Sequence, residues 1–411
     1  MKRIAILHYS APPVVGGVES VMQAHVRVLH AAGYRVTVIA GDGDAKSLPE
    51  GTDWVHIPEL GTRHPEIEQA SRELEQGRVP ENFVELAARL ESRLEAVLPS
   101  MERVIVHNVF TKHFNLPLTA ALVNLLEKRK LRGCIAWCHD FTWTSAHSRS
   151  KVFPSYPWDL LRTPRKDIRY VTVSKFRQLE LAGLFNCPAD DIKVIYNGVD
   201  PQELLGLSQA GLALIQRLDL WNADLILLMP VRVTEAKNIE LAIRLAAVLK
   251  EHDVHPKIIL TGPPDPHDQG NMAYFQSLLD LRRELEVENE MRFVYEAGPT
   301  DQPFIVDMNV VAELYRVSDA LFMPSHREGF GMPIVEAGLA GLPVFSSSAV
   351  PAADELGGDE VLSFPPDADP RAVAALILDQ MEHNSTWRFR RRARQSLTWQ
   401  NIFQQKILPL L

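Results

Sequence analysis

The stretch Ser325-His326-Arg327-Glu328-Gly329-Phe330-Gly331-Met332-Pro333-Ile334-Val335-Glu336 follows an apolar run, Ala320-Leu321-Phe322-Met323, and its reading decides the fold. A short apolar run bounded by a turn signal predicts a buried strand over 320–323. Gly329 and Gly331 bracket Phe330, so the backbone can turn sharply there and let a ligand come close. Pro333 suits the first position of a helix, where a missing N–H costs nothing. The order is therefore strand, glycine turn, helix start. A helix start presents unpaired N–H groups and the positive end of its dipole, and both favour a bound phosphate. Glu328 lies in the turn and Glu336 in the first part of the helix. A phosphate repels carboxylates, so these two are assigned to sugar hydroxyls. The bare turn also reads as an ordinary strand-to-helix connection, since short glycine-rich motifs carry little alone.

The same alternation extends in both directions. Residues 3–8 read as a buried strand, Gly16-Gly17 as a loop, and a helix begins near Val18. Apolar residues at Val18, Val21, Met22, Val28, Leu29 and Ala32 have helical spacing. His25 shares that face and reads as a packed core histidine. Gly33 ends the helix, and residues 35–40 form the next strand. This unit lacks the full G-x-G-x-x-G, so no dinucleotide site is expected. Further strands are expected at 104–107, 134–137, 170–174 and 192–196, the last closing on the turn signal Asn197-Gly198-Val199-Asp200. The pattern breaks over 201–222 and restarts with a strand at 225–230. A helix at 239–250, strands at 257–260 and 292–295, and a helix near 310–316 follow. Alternating strands and helices predict parallel sheets covered by helices, an α/β fold. The expected organisation is an N-terminal domain over 1–200, a linker over 201–222, a second domain over 223–385 and a final segment over 386–411. That segment opens with Arg388, Arg390, Arg391, Arg392 and Arg394, which alone would suit a nucleic-acid tail. Trp387, Phe389, Leu397, Trp399, Ile402 and Phe403 argue instead for a packed helix.

Composition narrows the function. A net charge of −9 argues against general nucleic-acid binding. The three cysteines cannot all pair, which fits reduced thiols in a cytoplasmic protein. No apolar stretch reaches the roughly 18 residues that span a bilayer, so only peripheral membrane contact stays open. The fourteen histidines form no H-E-x-x-H or similar ligand set, and no metal or cofactor is expected. His139 directly follows the strand at 134–137, and ligands gather at the carboxyl ends of such strands.

The pattern Ser325-x-x-Glu328-Gly-Phe-Gly-x-Pro-x-x-Glu336-Ala337, followed by Ala340-Gly341-Leu342-Pro343-Val344, resembles the donor-site signature of the GT4 family. These are retaining, nucleotide-sugar-dependent glycosyltransferases of the GT-B fold. The resemblance implies two Rossmann-like βαβ domains facing across a cleft, with donor in the second and acceptor in the first. It also implies a last helix that crosses back onto the first domain. Transfer of a sugar from a nucleotide diphosphate builds negative charge on the leaving phosphate, and fixed positive charge must meet it. By resemblance, Arg232 and Lys237 grip the phosphates and Glu328 holds hydroxyls of the donor sugar. Glu336 binds the ribose, and the backbone around Phe330, Gly331, Met332 and Pro333 holds the diphosphate. Thr261 and Gly262 border the donor, Tyr295 lies near the base, and Gly16 and Gly17 cover the diphosphate. His139 contacts the transferred sugar. The leaving phosphate oxygen takes the acceptor proton, so no carboxylate nucleophile is needed, unlike in retaining glycosidases.

Residues 141–170 carry six Lys or Arg against two acids. Cations in a cleft attract anions, so Trp143, Arg162, Arg165 and Lys166, with Glu19, are assigned to a small anionic acceptor. Docking of Tyr156-Pro157-Trp158 on anionic lipid is the competing reading. The expected activity is transfer of a hexose from a UDP- or GDP-sugar to an acceptor hydroxyl. A phosphorylase or epimerase on the same fold, or a non-catalytic sugar-nucleotide binder, are the alternatives. Base, sugar, acceptor and oligomeric state are not legible.

Overall fold

The computed structural model describes residues 2–298 and 304–411. The chain forms two compact units. One is the chain up to Gly198 together with Trp399–Leu411, and the other is Val199–Thr398.

The first unit is built on β1 (Arg3–Leu7), β2 (Arg35–Ala40), β3 (Asp53–His56), β4 (Arg103–His107), β5 (Cys134–Cys138), β6 (Ile168–Thr172) and β7 (Lys193–Val194). They pair in parallel in the order β3-β2-β1-β4-β5-β6-β7. β5 is buried along its whole length, as expected of a strand covered on both faces. β3 escaped the sequence reading because this edge strand is only half-buried and shows no apolar run. β6 lies two residues earlier than expected. Ser174 is not in the strand; its hydroxyl accepts from Arg177 N and caps the helix Lys175–Phe185. Ile402, Phe403 and Ile407 of the last segment pack with Ile4, Ile6 and Trp137 in one core cluster.

The second unit carries β8 (Leu225–Met229), β9 (Pro256–Leu260), β10 (Met291–Phe293), β11 (Ala320–Met323), β12 (Val344–Ser347) and β13 (Leu362–Phe364). All pair in parallel, in the order β10-β9-β8-β11-β12-β13. Residues 201–222 are not a linker. They form the helices Pro201–Leu205 and Gln209–Arg217 and a 3-10 turn at Leu220–Asn222. Leu214, Ile215, Leu218 and Leu220 are buried in the second unit's core. The apolar spacing within each piece is too short to show a period, which is why the stretch reads as a break. The segment 386–411 also divides. The helix Ser385–Ser396 belongs to the second unit, where Arg394 is buried and pairs with Asp319 at 2.9 Å. Asp319 in turn accepts from Ile226 N, so this ion pair ties the helix to β8. Arg391 pairs with Asp224. These arginines of the basic run are therefore structural. The insertion expected over 298–309 lies partly outside the described residues. Among the described residues no helix is long and apolar enough to cross a membrane.

In each sheet the strand order reverses once, between β1 and β4 and between β8 and β11. At such a reversal neighbouring connections leave on opposite faces, opening a crevice at the carboxyl ends of the strands. Both candidate sites lie at these reversals.

Candidate active site

In the second unit the connections after β8 and β11 border an open pocket of about 720 Å³. Arg232, Lys237, Glu328, Phe330, Gly331 and Met332 line it. The helix Met332–Ala340 begins here, with Pro333 as its second residue rather than its first. Gly331 precedes it with φ +107°, and a Cβ there would lie 2.6 Å from Val350 Cγ1. Glycine is thus required, and no side chain caps the helix; Pro333 has no N–H and Ile334 N donates to Gly331 O at 2.9 Å, which leaves the Met332 N–H facing outwards. A free N–H and the positive end of a helix dipole are features that favour an anion.

Lys237 ends a 3-10 turn, Glu235–Lys237, and its Nζ lies 2.6 Å from Glu328 Oε1. Ser325 Oγ donates to the same oxygen at 3.0 Å. Glu328 Oε2 has no hydrogen-bond partner among the described residues. Arg232 is exposed and makes no ion pair among them. Glu336 Oε2 accepts from Tyr315 OH at 2.6 Å, and burial with this contact raises the Tyr315 phenol well above its usual range. Gly262 acts through its backbone. A Cβ there would lie 2.4 Å from Val231 O, so β9 can approach and hold the chain next to Arg232. Thr261 is buried, and neither Thr261 nor Gly262 lines the pocket. Tyr295 stands edge-on to Phe275 at 5.7 Å, away from the pocket lining. The sequence reading missed Ser325 and Tyr315 as partners of the two glutamates. A serine three residues before Glu328 was the available signal for the first; Tyr315 had none.

In the first unit four histidines gather at the strand-order reversal. His8 follows β1, His107 ends β4, His139 follows β5, and His25 projects from the helix Gly17–Ala31. His107 Nδ1 lies 3.1 Å from His139 Nε2. His25 packs against Trp137, Trp399 and His107, with ring centroids 4.5, 5.3 and 5.4 Å away. Burial lowers the pKa of all four, to about 4 for His139 and about 3 for His25. All are therefore neutral near pH 7. Asn108, at φ +60°, accepts from His139 N at 2.8 Å through Oδ1 and fixes the backbone there.

Gly16 precedes the first helix in an extended conformation. A Cβ on it would lie 2.2 Å from Glu19 Oε2, so the glycine makes room for the carboxylate. A Cβ on Gly17 would meet nothing within 4 Å. Glu19 is buried and accepts from Ser10 Oγ at 2.5 Å. Its Oε1 is thus engaged within the unit.

The basic segment also departs from expectation. Trp143 is buried between the guanidiniums of Arg149 and Arg162, at 4.5 and 4.1 Å from its ring. Arg162 pairs with Asp159, and Arg165 with Asp167 and Glu127. Lys166 is exposed, but it lines a hollow with Arg103, Gly133, Cys134 and Ile168, at the amino ends of β4, β5 and β6. The ligand crevice lies at the opposite ends of these strands. The long connection carries its positive charge from one end of the sheet to the other, which charge counting cannot reveal. Of the Tyr156-Pro157-Trp158 motif, Trp158 is buried and Tyr156 is exposed.

A cation the sequence reading missed does lie at the carboxyl ends. Lys112 follows β4, is half-buried, and holds Nζ 4.9 Å from the Phe114 ring centre. Burial lowers its pKa; nearby Asp140 opposes that, while Arg177 and Lys151 add to it. It makes no ion pair among the described residues. Nor do any three His, Cys, Asp or Glu side chains among them converge to hold a metal ion.

Two parallel α/β units, one presenting cations and a helix N-terminus at its strand-order reversal, define a protein of the GT-B class. Residues 15–203 match the family described as Glycosyltransferase Family 4, and residues 215–396 match Glycosyl transferases group 1. With almost the whole chain covered, the protein belongs to the GT4-type glycosyltransferases. It is 31% identical over 181 residues to the uncharacterized glycosyltransferase MJ1607 of Methanocaldococcus jannaschii, covering 43% of this chain and 42% of that one. It is 22% identical over 366 residues to mannosylglucosylglycerate synthase of Thermotoga maritima, covering 83% and 79%. It is 26% identical over 185 residues to D-inositol 3-phosphate glycosyltransferase of Saccharomonospora viridis, covering 44% and 40%. The chain thus spans about two fifths of the length of the first and third of these relatives.

Proposed function

We propose that the protein is a retaining glycosyltransferase that moves a hexose from a UDP- or GDP-sugar to an acceptor hydroxyl. The observation that carries this reading is Arg232, without an ion pair among the described residues, in one pocket with the N-terminus of the helix Met332–Ala340, which no side chain caps. A diphosphate placed there meets Arg232, Lys237 and the Met332 N–H at the helix start. The bond from the sugar C1 to the phosphate oxygen breaks as the acceptor oxygen bonds to C1. The acceptor proton passes to the leaving phosphate oxygen. The charge that develops there is stabilised by groups already in place, which is where most of the rate gain arises. Glu328 Oε2, without a partner among the described residues, suits a sugar hydroxyl, and Glu336, held by Tyr315, suits a ribose. Two cations and a helix N-terminus can carry the diphosphate charge, so the reaction is read as metal-independent. Retention is what the family likeness implies. Three free cysteines agree with a cytoplasmic setting.

The acceptor is read as small and anionic, with Lys112 in place of the arginines of 141–170 as its cation. A relative named for inositol 3-phosphate supports this class of acceptor. Lys112→Met is expected to raise acceptor KM several-fold, more at low salt, with donor KM unchanged; an unchanged acceptor KM removes Lys112 from the site.

The decisive experiment is a thermal-shift screen against UDP-, GDP- and ADP-hexoses, followed by nucleotide release in EDTA with and without acceptors. A ligand that binds the native state raises apparent stability. Stabilisation by one sugar nucleotide and acceptor-dependent release support the proposal. Release driven by inorganic phosphate would show a phosphorylase, and binding without any turnover a non-catalytic binder.

A further inference from the structure

We propose that His107 is a positioning residue that holds His139 as its Nδ1–H tautomer, so that His139 meets its ligand as a hydrogen-bond donor. This rests on the reading of His139 as a sugar contact, and it goes beyond that reading by assigning the proton and the residue that sets it.

The argument begins at His8. Its Nδ1 lies 2.9 Å from the carbonyl oxygen of His107. A carbonyl only accepts, so His8 Nδ1 donates and anchors the His107 backbone. The ring of His107 is fully buried and offers two nitrogens. Nδ1 faces His139 Nε2 at 3.1 Å. Nε2 has no hydrogen-bond partner among the described residues. It is enclosed by a ring system that includes His25 and Trp137, with centroids 5.4 and 6.1 Å from that of His107.

A neutral imidazole carries one proton, and there are two places to put it. A proton on Nε2 would bury an N–H with nothing to receive it, which is rarer in folded proteins than an unused acceptor. A proton on Nδ1 donates to His139 Nε2 and leaves only a bare lone pair in the apolar enclosure. The second arrangement is therefore the stable one. Burial and the neighbouring histidines keep the His107 ring neutral, so it does not carry both protons. The tautomer of one ring then fixes the other, as the hydrogen bond on one nitrogen decides where the proton sits. His139 accepts at Nε2, so its own proton is on Nδ1. Nδ1 is the only ring nitrogen it has left to offer. Burial, with repulsion from His8, keeps His139 neutral too, and Asn108 Oδ1 holds its backbone at 2.8 Å. At the carboxyl end of β5 the chain thus presents an uncharged donor aimed by a second histidine.

The test has a spectroscopic arm and a kinetic arm. Long-range proton–nitrogen correlation spectra of the ¹⁵N-histidine-labelled full chain, assigned with His139→Gln, report which ring nitrogen is protonated. His139 is expected as the Nδ1–H form, and as a mixture in His107→Leu. An Nε2–H His139 in the native chain overturns the proposal. In the kinetic arm His107→Asn keeps an amide N–H near the position of Nδ1. It should hold kcat/KM for transfer within about threefold, whereas His107→Leu should lose at least about tenfold, mainly in kcat, the scale on which an orienting partner acts. Equal losses in both variants, with equal melting temperatures, would overturn the positioning role. The spectra need no substrate, so failure of the transferase reading and failure of the tautomer assignment are told apart.

Discussion

Lys237 and Glu328 stand 91 residues apart in sequence and share a 2.6 Å ion pair with side chains only 19% and 13% exposed. Arg232, on the same loop as Lys237, stands exposed without such a pair among the described residues. This difference separates their variants. Arg232→Ala and Lys237→Ala are each expected to lower kcat/KM by roughly a hundredfold or more, the scale of losing one preorganised charge-stabilising group. Only Lys237→Ala should also lower the melting temperature, because it strands a largely buried carboxylate. Steady-state kinetics and thermal unfolding on both variants decide it; near-normal turnover in both would remove the phosphate assignment. Glu328→Ala should weaken the intact sugar nucleotide more than the free nucleoside diphosphate in calorimetric titrations. Equal losses would show that Glu328 does not reach the sugar. The turn that carries Glu328 was legible because its glycines and proline are local signals. Lys112 and Tyr315 were not, because topology rather than neighbouring sequence puts them where they are.

Elements succeeded or failed by the same measure. The helix Ile239–Glu251 and strand β9 fall within a residue of their expected bounds, since long periodic or continuously apolar runs leave little choice. β6 and the helices of 201–222 went astray where a serine cap or a short amphipathic piece outweighed the pattern. The four-histidine cluster was invisible as a cluster, because its members come from β1, the first helix, β4 and β5. It has a consequence for stability. His25 and His139 have pKa values lowered by burial to about 3 and about 4, against about 6.5 when unfolded. The unfolded chain therefore binds more protons below pH 6.5. The stability linked to these residues is complete above that pH and is lost as pH falls towards 4. Each contributes up to about 1.4 kcal/mol per pH unit within the window. Denaturant unfolding at pH 7.5 and at pH 5 should show the loss, and His25→Phe should reduce it. An unchanged pH dependence in that variant would mean His25 takes up its proton in the folded state.

At the scale of the molecule, two parallel α/β units could be read from alternation alone, while the point of division could not. The sequence places a linker at 201–222, yet the first crossing follows Gly198 and the next follows Thr398. Apolar residues spread along 386–411 made it look like one packed helix. The packing splits it, with Arg394 locked to Asp319 in one unit and Phe403 buried in the other. Removal of residues 399–411 is expected to strip Ile402, Phe403 and Ile407 from the first unit and expose the apolar surface beneath them. The shortened chain should aggregate or melt markedly lower. A truncated chain that stays soluble and melts like the full one would show that these side chains add little.

The double crossing also sets a timetable for synthesis. Domains made on the ribosome generally fold in the order in which they emerge, the N-terminal one first. Here the unit that emerges first lacks its last piece until residues 399–411 have been made, whereas the second unit is one continuous segment. The later unit is thus the first that can be finished. Until then the sheet of β1–β7 waits with the seat of Phe403 uncovered, and a nascent chain halted near Thr398 would carry one finished unit and one that still recruits holdase chaperones.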